Sequence, residues 1–295
     1  MTGRTIIIDL RRLGARISAV SSSPPSSPQK SAMSADLKRD YDERGFLSPV
    51  DALSEQQAVA HRRCMEEAER RIGSLHYLAK VHTILRSPWE LATHPNILDV
   101  VEQILGPDIL LYNTTYIVKE ANTAAHVSWH QDLTYWGLDS DDQVSVWLAL
   151  SVADRQSGCM RMIPGSHTAG AREHDISVAD ENNVLFQSQT VHGVNERDAV
   201  YCPLKPGQAS FHHGWTLHSS PPNRSDDRRI GLNIQYIAPH VRQIKLPGFS
   251  ALSVRGEDRF HHYAAETPAS RDLDPAALAW REQQDQLHKR IAATA

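Results

Sequence analysis

The sequence contains little cysteine and no long apolar run. Its three cysteines, Cys64, Cys159 and Cys202, stand far apart among 295 residues and form no C-x-x-C pair. This pattern disfavours a disulfide framework and a thiolate zinc site, and it fits a reducing, cytoplasmic setting. No apolar stretch approaches the roughly 20 residues that span a bilayer, so we expect no membrane partner. The signatures of dinucleotide-binding proteins, P-loop proteins and serine hydrolases are also absent.

The net charge does not indicate a nucleic-acid partner. The chain carries 31 basic and 35 acidic residues, a formal charge of −4, and a mildly acidic chain is a poor general binder of nucleic acid. Histidine, in contrast, is abundant, with 16 residues. In a chain with few thiols, imidazole and carboxylate are the expected metal ligands if a metal is bound.

Residues 1–33 differ in composition from the rest of the chain. They hold five basic residues and one acid, and they include the Ser- and Pro-rich stretch Ser21 to Pro28, which is typical of disorder. An organellar targeting segment and an over-extended start upstream of Met33 both fit this composition, and the second fits better. The remaining chain has 26 basic and 34 acidic residues and therefore a charge of −8.

Residues 34–295 are predicted to form one domain, with a helical part at 34–106, a β-rich core at 107–240 and a C-terminal extension at 241–295. Many short β-rich runs separated by turn residues predict a sandwich or barrel. The last helix is expected to cover an outer face. The predicted helices are Asp36 to Gly45, Ser54 to Gly73 with a capping box, Pro95 to Leu105 and Pro275 to Ala292; the predicted strands are Ile109 to Lys119, Val144 to Val152, Gly158 to Ile163, Ala199 to Cys202, Gln208 to His212 and Ile230 to Ile237.

A long segment, Ser166 to Asp198, shows weak periodicity and little apolar content. Loops of more than about 12–15 residues in compact domains tend to be functional or disordered, so this segment is either a lid or a solvated insertion. Loops on a rigid scaffold usually carry specificity. We therefore expect substrate-selecting residues here, around Leu133 to Leu138 and near Pro239 to Phe249.

The strongest candidate for a functional site is the tetrapeptide Trp-His-Gln-Asp that contains His130 and Asp132. On an extended strand, residues two apart point to the same face, so this imidazole and this carboxylate can meet at one point. A third ligand has to come from another strand, and His212, His213 and His218 all follow a later β-rich run. Two histidines and one carboxylate form the facial triad of non-haem Fe(II) oxygenases.

Two adjacent arginines, Arg228 and Arg229, open the next β-rich run. Only one of them can face inward on a strand. A guanidinium beside a metal site can hold a remote carboxylate with two parallel hydrogen bonds. The residues therefore indicate iron together with a dicarboxylate.

Three ordered motifs resemble the phytanoyl-CoA dioxygenase family of Fe(II)- and 2-oxoglutarate-dependent oxygenases. They are Trp129 to Gly137, Gly158 to His167 and His218 to Arg229, within a resemblance that covers roughly Tyr41 to Tyr236. The resemblance implies a mainly β fold with flanking helices around a double-stranded β-helix (jelly roll, cupin-like) core. Its spacing selects one histidine and one arginine from the alternatives. It implies His130, Asp132 and His218 as Fe(II) ligands, Arg229 and Ser220 at the distal carboxylate of 2-oxoglutarate, Gln131 and Trp147 in the cosubstrate pocket, and Asn113 or Lys119 at its other end.

The implied reaction is hydroxylation of an unactivated C–H bond with O2, with release of succinate and CO2. Asp132 occupies the position at which halogenating relatives carry a small residue, which favours hydroxylation. The charge of −8 disfavours a coenzyme A thioester as substrate, although a basic patch with Arg161, Arg172 or Arg242 would offset it. We expect a small-molecule substrate and a monomer or homodimer. The alternatives are a zinc or manganese cupin-type isomerase or lyase, and a catalytically silent binding protein on the same barrel.

Overall fold

The computed structural model describes residues 29–177, 180–185 and 188–293, so most of the segment predicted at 1–33 lies outside the described residues. Five helices are described, and the first of them begins at Gln29. Helix α2 begins with the predicted capping box, in which the Ser54 hydroxyl accepts from the backbone of Gln57. The helices are α1 (Gln29–Arg44), α2 (Glu55–Ile72), α3 (Arg86–Ala92), α4 (Pro95–Leu105) and α5 (Pro275–Ala292).

Two sheets form the core of the fold. The seven-stranded sheet has the order β1-β7-β4-β9-β2-β10-β11, and the four-stranded sheet has the order β3-β8-β5-β6. This double-sheet architecture confirms the predicted jelly roll. The strands are β1 (Phe46–Asp51), β2 (Ile109–Lys119), β3 (Val127–His130), β4 (Gln143–Ala149), β5 (Met160–Met162), β6 (Val200–Cys202), β7 (Gln208–His212), β8 (His218–Ser220), β9 (Arg229–Ile237), β10 (Ser250–Arg255) and β11 (Ala264–Ala265).

The two faces of the large sheet have different surroundings. On β9, Asn233 and Gln235 line a cavity between the sheets, whereas the alternate residues Ile234 and Tyr236 belong to the hydrophobic core. This core lies between the sheet and α4, whose apolar residues are buried. Because strand residues alternate between faces, the helices can cover one face while polar side chains collect on the other.

A buried polar network joins the segment before α3 to the C-terminal extension. Lys80, His82 and Glu266 are almost completely buried. The Glu266 carboxylate accepts from the Lys80 ammonium and lies 2.6 Å from His82 Nε2, while the Ser250 hydroxyl donates to it over 2.9 Å. Burial raises the pKa of Glu266, but Lys80 and His82 lower it further, to about 2.

We expect Glu266→Ala to lower the free energy of unfolding by about 3–5 kcal/mol, because it leaves the Lys80 ammonium buried without its acidic partner. Chemical denaturation measures this change. Since the pKa of Glu266 is lowered, the stabilisation should be lost as the pH falls from about 4.5 through about 2. The control Glu257→Ala breaks a pair with Arg259 whose side chains are 71% and 72% exposed, and it should cost at most about 1 kcal/mol. Equal losses in both variants would contradict the network's role.

Two features differ from the sequence expectations. The strands β1, β10 and β11 were not predicted, and β3 and β8 were expected only as the positions of the ligand residues. Helix α5 has the predicted bounds, but it does not merely cover an outer face, because Asp285, His288 and Lys289 line the cavity.

All three cysteines are free. No helix among the described residues is long and apolar enough to cross a membrane.

Candidate active site

Two paired strands bring three predicted ligands together. Strands β3 and β8 are antiparallel, with His130 directly opposite His218, and the centroids of their rings are 4.0 Å apart. Asp132 Oδ1 lies 3.5 Å from His130 Nε2 and 3.6 Å from His218 Nε2. One donor atom from each of the three residues lies within 4.8 Å of the others. The arrangement can hold one metal ion with open coordination positions.

Asp132 reaches this cluster by a route that differs from the prediction. Strand β3 ends at His130, and Asp132 begins a short 3-10 helix that continues to Tyr135. Gln131 between them is extended, with φ −128° and ψ 128°. This one extended residue keeps the imidazole and the carboxylate on the same side, so the i, i+2 relationship holds although the strand does not continue.

Backbone carbonyls fix the orientation of both imidazoles. His130 Nδ1 lies 2.9 Å from the Ser128 carbonyl oxygen, and His218 Nδ1 lies 2.9 Å from that of Thr216. A carbonyl oxygen only accepts, so each Nδ1 carries the proton and each Nε2 presents its lone pair to the cluster. Burial, followed by repulsion from His130, lowers the pKa of His218 well below its usual value. Neutral imidazoles with free Nε2 atoms suit a divalent metal ion.

The carboxylate of Asp132 is held by its other oxygen. Ser145 Oγ donates to Oδ2 over 2.6 Å, and His212 Nε2 lies 3.2 Å from the same oxygen. Burial raises the pKa of Asp132, but His218, His130 and His212 lower it well below its usual value. Oδ1 is therefore left as the oxygen that faces the two ligand imidazoles.

The structure also separates the competing histidines. His212 lies behind the carboxylate, with its ring 4.7 Å from that of His218. His213 points elsewhere, because its Nδ1 accepts from the backbone of Trp215 and its Nε2 lies 3.6 Å from Asp141. Of the three candidates, His218 is the one grouped with His130 and Asp132.

Arg229 is buried in the same cavity without an acidic partner among the described residues. Its side chain is 1% exposed, and it donates to the Gly158 carbonyl over 2.9 Å and to the Ser220 hydroxyl over 2.8 Å. Its Nε has no hydrogen-bond partner. Burial lowers its pKa to about 10, which still leaves it charged at neutral pH. A buried unpaired cation is costly, so this position calls for an anionic ligand.

The neighbouring Arg228 has a different environment. It points outward and pairs with Glu69 and Glu120. The inward position thus belongs to Arg229, whose guanidinium lies 5.0 Å from the centre of the Trp147 ring. Trp147 packs so closely on Gly231 that a Cβ there would lie 2.1 Å from the indole. The glycine makes room for the ring that supports the arginine.

The remaining predicted cosubstrate residues fall into two groups. Ser220, Trp147 and Asn113 line the cavity. Lys119 instead donates to the Ser220 hydroxyl and to two backbone carbonyls, and burial, followed by repulsion from Arg229, lowers its pKa to about 5. Gln131 lies outside the cavity, since its amide group binds the backbone of Gly170, Trp215 and Arg172.

The cavity has a volume of about 330 Å³ and extends from Arg229 past the metal-ligand cluster to α5. Asn113 and Ser145 each pair with Gln235, and His212 pairs with Ser145, so these residues lie at one level of the large sheet. Lys119 pairs with Arg229 at another level. Gln235 and Arg229 are six positions apart, which is about 20 Å along the strand. Arg229 and the residues that support Asp132 therefore reach one cavity from two different levels of the large sheet.

Several lining residues were missed by the sequence analysis. Tyr77 lines the cavity from the segment before α3, in a left-handed conformation with φ 58°. Tyr135 lines it beside His130, and its hydroxyl is buried without a hydrogen-bond partner. Tyr135 was not named individually, but it lies within the stretch Leu133 to Leu138 in which substrate-selecting residues were expected. Nothing in the local sequence marks Tyr77 or the residues of α5.

Part of the segment Ser166 to Asp198, the possible lid, contacts the site. Val184 and Leu185 line the cavity, and Val184 N donates to the His126 carbonyl. His174 Nε2 accepts from the backbone of Gln131 over 3.0 Å. These contacts support the lid interpretation over that of a solvated insertion.

Together, the jelly roll, the His-Asp-His cluster and the buried arginine without an acidic partner among the described residues are typical of a non-haem metal oxygenase.

Comparison with known proteins supports this assignment to the oxygenases. A family model described as phytanoyl-CoA dioxygenase (PhyH) matches residues 41–231. The peroxisomal phytanoyl-CoA dioxygenase of Bos taurus is 24% identical over 260 residues, covering 78% of this chain and 76% of the relative. The L-proline trans-4-hydroxylase of Streptomyces griseoviridis is 25% identical over 218 residues, covering 67% and 78%.

Solved structures extend the comparison. The apo structure of the non-heme monooxygenase ThoJ superposes with a TM-score of 0.77 at 30% identity, covering 88% of this chain and 99% of that one. Some matches are shorter, and the chain spans 50% of the human peroxisomal phytanoyl-CoA dioxygenase. The chain belongs to the phytanoyl-CoA dioxygenase family. It is an enzyme of the non-haem iron, 2-oxoglutarate-dependent oxygenase class, as the sequence predicted.

Proposed function

We propose that this protein hydroxylates an unactivated C–H bond of a small organic molecule, with Fe(II) held by His130, Asp132 and His218. One molecule each of substrate, O2 and 2-oxoglutarate would give hydroxylated product, succinate and CO2. The observation that carries the proposal is the buried guanidinium of Arg229, which has no acidic partner among the described residues and lies in the same cavity as the three ligands. A zinc or manganese isomerase would need such a cation only for an anionic substrate.

The donor set fits iron with 2-oxoglutarate. Two imidazoles and one carboxylate oxygen would hold the metal ion and leave ligand positions for a cosubstrate and O2. The bound iron supplies the activation of O2 and the oxidation of both substrates. Arg229, with Ser220 beside it, holds the distal carboxylate of the cosubstrate and fixes its direction towards the cluster.

The other residues keep this arrangement in place. Ser145 and His212 hold Asp132 so that one carboxylate oxygen remains for the metal. Trp147 supports the guanidinium, and the segment carrying Val184 and Leu185 limits the access of water to the cavity. Hydroxylation requires a C–H bond placed close to the metal in a site from which water is excluded.

The names of the relatives include phytanoyl-CoA and L-proline among their substrates, so family membership alone does not select a substrate. We propose a free small molecule, since the cavity is small and the charge of the chain without residues 1–33 is −8. We further propose that the enzyme works in the cytoplasm, which its three free cysteines support, and that it is a monomer or homodimer.

Succinate formation tests the proposed function before the substrate is known. The purified protein with Fe(II), O2 and 2-oxoglutarate is expected to release succinate slowly by itself and faster when a panel of small acids, amino acids, alcohols and acyl thioesters includes an acceptable substrate. Production should stop when iron is chelated and should not be restored by zinc. Zinc-supported turnover of a panel member without succinate would instead favour the isomerase or lyase alternative.

A further inference from the structure

Helix α5 forms the wall of the cavity on the side away from Arg229. Asp285, His288, Lys289 and Ala292 line this wall. The helix is fixed to the barrel, since the Gln284 side chain donates to the Gly248 carbonyl and its Oε1 lies 2.9 Å from Ser250 Oγ. The wall is therefore a preformed surface.

Four charged side chains lie close together on this wall. Asp285 is 1% exposed, and its Oδ1 accepts from the backbone of Ala79 over 3.0 Å. Its Oδ2 lies 2.7 Å from the Lys289 ammonium, and Arg281 lies 3.6 Å from Oδ1. Arg281 pairs in turn with Glu282. The two positive and two negative charges balance, so the wall offers a charged ligand group no net opposite charge, and burying such a group is costly.

His288 offers an uncharged polar group beside this pair. Neither of its ring nitrogens has a hydrogen-bond partner among the described residues, and Nε2 is sealed from solvent. The ring packs edge-on against Tyr112 and Phe249, with centroids 5.6 and 5.0 Å away. Burial, followed by repulsion from Lys80, lowers its pKa to about 3, so the imidazole is neutral. Buried polar groups without partners are rare. Nδ1 is not closed off as Nε2 is, so it is the nitrogen to which a ligand can hydrogen-bond.

The lining of the cavity as a whole is mostly apolar. Trp136, Val184, Leu185 and Ala292 contribute hydrocarbon surface. The whole volume of about 330 Å³ lies at the small end of the range for ligand pockets, and the cosubstrate takes part of it. The space beside α5 suits a compact apolar molecule.

We propose that the α5 wall selects an uncharged, largely apolar small molecule with a hydroxyl, carbonyl or amide group that hydrogen-bonds to His288. This inference rests on the proposed function, because it takes the cavity as the substrate site of the oxygenase. Carboxylates and ammonium groups are disfavoured because the wall carries equal numbers of positive and negative charges. His288 is thus a specificity-determining residue.

A matched series on one skeleton tests the inference. The probes are cyclohexylmethanol, cyclohexanecarboxamide, cyclohexanecarboxylate and cyclohexylmethylammonium, and their binding is measured by ligand-observed NMR. The protein is loaded with 2-oxoglutarate and with zinc as a diamagnetic substitute for iron. The alcohol and the amide are expected to bind about tenfold more tightly than the two charged probes, the equivalent of one satisfied hydrogen bond.

Two variants connect this preference to the wall. His288→Leu should weaken binding of the alcohol and the amide about tenfold. Asp285→Asn keeps the acceptor for Ala79 N but leaves Lys289 unpaired, so cyclohexanecarboxylate should now bind more tightly than in the wild type. The control Gln286→Ala changes the exposed face of the same helix and should alter none of these affinities.

Three results would overturn the inference: a charged probe that binds the wild type as tightly as the alcohol, an unchanged preference in His288→Leu, or no binding of any probe. Titration of 2-oxoglutarate in the same samples separates this failure from that of the proposed function. If 2-oxoglutarate binds and the probe affinities do not follow the expected order, the inference about the α5 wall is wrong. If the probes follow the series and 2-oxoglutarate does not bind, the proposed function fails.

Discussion

Arg229→Ala is expected to raise the 2-oxoglutarate concentration needed for half-maximal succinate formation by roughly 30-fold or more. Removing one partner of a buried charge pair costs about 2–5 kcal/mol, and each 1.4 kcal/mol is about tenfold in affinity. The concentration of Fe(II) required should change little, because Arg229 contacts none of the three ligand residues. Separate titrations of cosubstrate and iron measure the two effects.

The control for this prediction is Arg228→Ala, which removes the adjacent, outward-facing guanidinium and should leave the 2-oxoglutarate requirement unchanged. Stability provides a second check. Because Arg229 is buried without an acidic partner in the described structure, Arg229→Met should unfold without cosubstrate at a temperature no lower than the wild type. It should also lose the stabilisation that 2-oxoglutarate gives the wild type. A parallel loss of iron and cosubstrate affinity would mean that the variant is misfolded or that another residue binds the carboxylate.

His218→Ala is expected to abolish retention of iron. It removes one of three ligands from a cluster in which each contributes one donor atom, and the two remaining ligands hold a divalent ion far less tightly. The iron content of protein that was loaded anaerobically and then desalted measures the effect. The wild type should keep a stoichiometric amount, and the variant should keep almost none.

His213→Ala and His212→Ala are the matched controls, since both lie on or just after β7. His213 is directed towards Asp141, so its removal should leave iron binding intact. His212 supports Asp132 without belonging to the cluster, and its removal should keep iron at an affinity lowered by about 10–100-fold at most. If His212→Ala lost iron and His218→Ala retained it, the third ligand would have to be reassigned.

The long central strands of the fold were predictable from the sequence. The bounds of β2 are those predicted, and β9 begins one residue earlier at Arg229. Both strands are rich in β-branched and apolar residues between turn signals, so their local preference agrees with their place in the sheet. Strands β1 and β10 lie nearer the edges of that sheet. Their pairing with distant parts of the chain depends on tertiary contacts, which periodicity does not encode.

The candidate site was predictable where it rests on short-range geometry. The spacing of His130 and Asp132 places two ligands on one side of the chain whether the second lies on a strand or in the observed 3-10 turn. The choice between the histidines and between the arginines required the family resemblance. Periodicity allows only one of two adjacent residues to face inward, and it does not say which.

The far wall of the cavity was not predictable. Helix α5 starts more than 35 residues after β9 ends, and its polar residues at Asp285, His288 and Lys289 read as an ordinary solvated face. They are brought to the cavity by long-range contacts, such as the bond from Ala79 N to Asp285. Tyr77 likewise reaches the cavity through a left-handed backbone conformation, which is uncommon for a bulky residue.

The most direct test of the central claim is the visible spectrum of the protein under anaerobic conditions with Fe(II) and 2-oxoglutarate. If His130, Asp132 and His218 hold the iron and Arg229 directs the cosubstrate to it, a weak metal-to-ligand charge-transfer band should develop as 2-oxoglutarate is added. The band should be absent in His218→Ala and should require far more 2-oxoglutarate in Arg229→Ala. Wild-type protein that holds iron but shows no band at saturating 2-oxoglutarate would contradict the account.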